Sequence, residues 1–63
     1  MNHNDGRKTL EELRVVRNNL DNALARLSSE DDATLCVVEG RLETAQWAIT
    51  ESINLLRIRL NLE

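Results

Sequence analysis

Few side chains in this 63-residue chain could do chemistry, and their spacing argues against it. His3 is the only histidine and stands between Asn2 and Asn4. A catalytic or metal-binding imidazole needs a fixed partner to set its tautomer and orientation, and nothing beside His3 supplies one. Cys36 is the only cysteine. A reactive cysteine needs a stabilised thiolate, and the acidic residues just upstream of Cys36 disfavour one. It reads as a small packing residue at the edge of a helix face. Those acids, Glu30, Asp31 and Asp32, lack the downstream glycine and glutamate of a calcium-binding loop. They fit the first turn of a helix, where negative charge complements the backbone dipole. No nucleophile–base pair, glycine-rich phosphate loop or carboxylate dyad is present. The expectation is therefore a protein that is not an enzyme, with no catalytic residue, metal or cofactor.

Basic residues are the remaining candidates. Arg7, Lys8, Arg14, Arg17 and Arg26 lie in the first half of the chain, interrupted by Glu11, Glu12 and Asp21. The net charge is −3, and Trp47 is the only aromatic. A nucleic-acid surface carries a coherent basic face, so these residues read as a solvated helix face. Nucleic acid is not the expected partner.

The elements that would position any site are helical. Proline is absent and glycine occurs twice. β-Branched and aromatic residues, which favour strands, are too few and do not alternate. The fold class is all-α. Gly6 and the polar residues around it give residues 1–8 little to bury, so they are expected to be a disordered tail ahead of a helical domain over 9–63. Thr9 and Glu12 have the spacing of a capping box. Leu10, Leu13, Val16, Leu20, Ala23, Leu24 and Leu27 then recur at threes and fours, which predicts a helix over about 10–27. Val15 falls off this face and is expected to be exposed or in an interface. Ser28 and Ser29 break the pattern, and Ser29 is the expected cap of a second helix over about 30–61. A short connection makes the pair an antiparallel hairpin.

The second helix is apolar on two opposed faces. One carries Leu35, Val38, Leu42, Ala45, Ile49, Ile53, Leu56 and Leu60. The other carries Ala33, Val37, Gly40, Thr44, Trp47, Ala48, Leu55, Ile58 and Leu62. A helix with one partner needs one apolar stripe. Helix 1, at roughly 27 Å, would cover only part of a helix of roughly 48 Å, leaving residues 48–63 as an uncovered overhang flanked by Arg57 and Arg59. Gly40 costs about 1 kcal/mol in mid-helix relative to alanine, which points to close approach of another helix. The expected interface comprises Val37, Gly40, Trp47, Ile49, Ile53, Leu55, Leu56, Ile58 and Leu60, and the expected assembly is a homodimeric helical bundle.

Size supports that expectation. A chain this short buries little core, and a lone cysteine excludes an internal disulfide, which leaves helix packing and oligomerisation. No apolar run is long enough to cross a membrane. The polar N-terminus lacks the features of a signal peptide, so a reducing, cytoplasmic setting is expected.

The two-helix layout is similar to that of the dimeric plasmid copy-number regulator Rop, without its basic–aromatic RNA face. That likeness keeps a nucleic-acid adaptor as one alternative, and an antitoxin-like inhibitor of a host protein is another. As a whole chain, from MNHNDGRKTLEELRVV through TAQWAITESINLL, the sequence resembles the small helical accessory proteins of lambdoid bacteriophages. These are encoded between the recombination exonuclease and excisionase genes, and one is a product of this length, 63 residues. The resemblance implies a non-enzymatic early protein of the host cytoplasm, associated with host takeover and with lytic over lysogenic development. It supplies no functional residues.

Overall fold

The computed structural model describes residues 2–29 and 31–61. Within them lie two helices, α1 (His3–Leu27) and α2 (Ala33–Arg59), and no strand. The molecule is a rod of 45 × 18 × 14 Å.

Helix α1 begins seven residues before the expected start at residue 10. His3–Lys8, expected to be disordered, are its first turns. Asn2 supplies the cap: its side-chain Oδ1 accepts from the Asp5 backbone N–H at 2.9 Å, satisfying one of the free donors of a helix start. Thr9 is therefore inside the helix and caps nothing. Its hydroxyl donates to the Asp5 carbonyl at 2.8 Å, one turn back. The Thr9–Glu12 spacing resembled a cap, but Asn2 provides an earlier one, and burial against α2 rewards the additional turns. At the other end, Ser28 closes α1 by donating its N–H to the Leu24 carbonyl at 2.9 Å.

Helix α2 is capped by Asp32 and not by Ser29. Asp32 Oδ1 accepts from the Leu35 N–H at 3.0 Å, while the Ser29 hydroxyl donates back to the Arg26 carbonyl. The acids expected inside the first turn thus precede the helix or cap it; Glu30 lies outside the described residues. Helix α2 ends at Arg59, with Arg57 and Arg59 in its last turn, where cations complement the dipole. Leu60 N–H donates to the Leu56 carbonyl, and Asn61 follows at φ 60°. This left-handed conformation terminates helices, and asparagine tolerates it better than most residues.

The helices pack along one another. At one end the side chain of Leu60 lies over Gly6. Further along, Gln46 Nε2 donates to Asp21 Oδ1. Leu10, Ile53 and Leu60 are the buried hydrophobic core, and Gly6 is buried with them. Leu13, Leu20, Ala23, Leu24 and Leu27 of α1, with Leu35, Leu42, Ala45, Ile49 and Leu56 of α2, are half-buried along the same seam. Val15, off the stripe, is exposed as its position predicted.

Candidate protein-interaction surface

Among the described residues, the expected overhang is covered on one face by α1. With α1 starting at His3, the helices have 25 and 27 residues, and the last turns of α2 lie beside the first turns of α1. The two faces of α2 consequently have different fates. Ile53 and Leu60, two residues of the expected interface, are buried within the chain. Ile49 and Leu56 are half-buried on the same face. All four belong to the seam with α1, because only α1 is present to cover them.

The opposite face is open. Val37 is 57 % exposed, Trp47 67 %, Leu55 63 % and Ile58 72 %. Ala33, Gly40, Thr44 and Ala48 between them are exposed as well; Leu62 lies outside the described residues. Every described residue of the second sequence face is therefore in solvent. Gly40 is not a point of close approach within the chain, since a Cβ built there meets nothing within 4 Å. The Thr44 hydroxyl donates to the Gly40 carbonyl at 3.2 Å, so this polar group on the face is satisfied by its own helix. One residue of the face is absent from the sequence reading. Glu51 is exposed between Ala48 and Leu55, and its spacing from both would have identified it.

The chain as a whole exposes more surface than a compact protein of its mass. The chain exposes 4900 Å². A compact folded monomer of 7.2 kDa exposes about 4,100 Å². The excess, roughly 800 Å², belongs to the elongated 45 × 18 × 14 Å shape as a whole.

Other groups gather into no site. His3, in the first turn of α1, is exposed, and Cys36 is exposed where partial burial was expected. Among the described residues, no three His, Cys, Asp or Glu side chains are grouped so as to hold a metal ion. No described helix is long and apolar enough to cross a membrane. Arg57 is half-buried, and its buried Nε has no hydrogen-bond partner among the described residues, which ties the arginine to the seam more than to the open face. The chain matches no protein-family model, no curated protein and no solved structure.

Proposed function

We propose that this chain is a non-enzymatic accessory protein that works by protein–protein contact, as an antiparallel hairpin pairing with a second copy to form a four-helix bundle. The observation carrying this reading is the open apolar face of α2 centred on Trp47. Full burial of one large apolar side chain contributes about 1.5–3 kcal/mol, and Val37, Trp47, Leu55 and Ile58 come from each copy. Four large apolar side chains exposed on one helix face mark an interaction surface. The contacts of Gly6 with Leu60 and of Asp21 with Gln46 support the antiparallel pairing of the helices.

The wider role rests on the resemblance to lambdoid accessory proteins. It supports an early phage protein of the host cytoplasm that favours lytic development or host takeover. Protein contact is favoured over nucleic acid by the net charge of −3 and by the acids interspersed among the arginines of α1.

Sedimentation velocity at micromolar concentration tests the assembly. The expected result is a dimer that Leu55→Asp with Ile58→Asp converts to a helical monomer. A compact wild-type monomer whose sedimentation those changes leave unaltered would refute the proposal. Substitutions on the internal seam, such as Leu56→Asp, disturb the hairpin itself and do not isolate the assembly.

A further inference from the structure

The open face of α2 has a symmetry in its spacing. Reading outward from the peptide bond between Trp47 and Ala48, its members fall at Trp47, Thr44, Gly40 and Val37 in one direction. In the other they fall at Ala48, Glu51, Leu55 and Ile58. The intervals are three, four and three on both sides. All eight residues are exposed. Because α2 spans Ala33–Arg59, the centre of this pattern lies within two residues of the centre of the helix.

We infer that two copies of the chain associate through α2 against α2, running antiparallel, with the two-fold axis between Trp47 and Ala48. This deepens the dimer reading and rests on it. In this register each residue meets its mirror position: Val37 faces the second copy's Ile58, Gly40 its Leu55, Thr44 its Glu51 and Trp47 its Ala48. The sizes are complementary at Gly40, where a leucine meets a residue with no side chain. The two Trp47 side chains lie one position apart along the axis, about 1.5 Å, and stack on each other beside the two-fold. A two-fold interface must be self-complementary in this way, and helices approach to 8–10 Å only where large groups find small ones. The empty space around Gly40 is then the hole that receives Leu55. The matched stretch from Val37 to Ile58 is about 32 Å long at 1.5 Å per residue.

The parallel alternative is poor on the same residues. It sets Gly40 against Gly40 and Glu51 against Glu51, giving a void and a like-charge contact. In the antiparallel register each Glu51 faces a Thr44 hydroxyl. The two carboxylates are then offset by seven positions along the helix, about 10 Å.

The test uses two full-length proteins in a Cys36→Ser background, one carrying Val37→Cys and the other Ile58→Cys. Both positions are exposed, and circular dichroism checks that each protein keeps its helices. The proteins are mixed, equilibrated and treated with a short bismaleimide, and their mass in solution is measured in parallel. The antiparallel register gives covalent dimers in the mixture and none from either protein alone, because like positions lie about 32 Å apart. Dimers from each protein alone would overturn the proposal in favour of a parallel pair. A sedimenting dimer without any cross-link would overturn this register while leaving self-association intact. A monomer at all micromolar concentrations would overturn both.

Discussion

Leu60 rests on the bare backbone of Gly6, so closely that a Cβ built on Gly6 would stand 2.5 Å from Leu60 Cδ2 and 3.2 Å from its Cγ. This contact joins the first turns of α1 to the residue that ends α2. It requires a glycine for reasons of space alone, since the Gly6 backbone is ordinary helix. The low helix propensity of glycine is here offset by the burial of a leucine.

Gly6→Ala sets two effects against each other. The helix gains about 1 kcal/mol in propensity, while overpacking costs about 1–3 kcal/mol. All three distal atoms of Leu60 crowd the new methyl, so a net loss of about 1 kcal/mol is expected. In a Leu60→Ala background the obstruction is gone and the same change becomes stabilising. Urea unfolding of the four proteins measures the coupling, and a Gly6→Ala effect of equal sign in both backgrounds would contradict the contact.

The two faces of α2 predict opposite behaviour for neighbouring isoleucines. Ile53→Ala removes a buried side chain, at a cost of about 2–5 kcal/mol, a large part of what so small a domain can have. Ile58→Ala removes an exposed one and leaves the hairpin within about 0.5 kcal/mol of the parent when dilute. Far-ultraviolet dichroism at low protein concentration should show loss of helix for the first and an unchanged melt for the second.

Gly40→Ala separates folding from assembly. Its Cβ enters open space, so the monomer gains up to about 1 kcal/mol, equivalent to roughly 4–8 °C in Tm for a domain near this size. The same methyl occupies the hole proposed for Leu55 of a second copy and weakens pairing. Melts over a concentration series should show a higher Tm at the dilute end and a smaller rise with concentration. A uniform increase would remove Gly40 from the interface.

Asp32→Ala deletes the acceptor for the Leu35 N–H and should cost about 1 kcal/mol. Ser29→Ala, by contrast, should cost little, because the Ser29 hydroxyl bonds back into α1 and caps nothing in α2. Thermal melts of the two variants compare these roles directly, and a larger loss from Ser29→Ala would contradict the assignment of the cap.

The helical class, the end of α1 at Leu27 and the two faces of α2 were legible in the sequence because each depends on local periodicity. The start of α1 was not. Gly6 among polar residues resembles a loose tail until Leu60 is brought over it, and that contact lies more than fifty positions away in sequence. The missed turns then had a second effect. A helix 1 beginning at residue 10 made Ile53, Leu56 and Leu60 look uncovered, which placed them in an intermolecular interface. Val37, Trp47, Leu55 and Ile58 are exposed whatever the length of α1, because they lie opposite the seam.

The contact between Gly6 and Leu60 also bears on the order in which the rod comes apart. The segments nearest the connection are tethered by a few residues, so their pairing closes only a small loop. The far end must close nearly the whole chain, at a greater entropic cost, and although Leu10 and Ile53 are buried in that half, its outermost contact is one leucine seated over one glycine. Local opening should begin there and advance toward the connection. Each step would free Leu60 and then Ile53 while the hairpin near Leu27 stays shut. Amide hydrogen exchange would record this as protection that declines along α2 from the Leu42 region toward Arg59. The same gradient makes the free end the natural site of proteolytic attack.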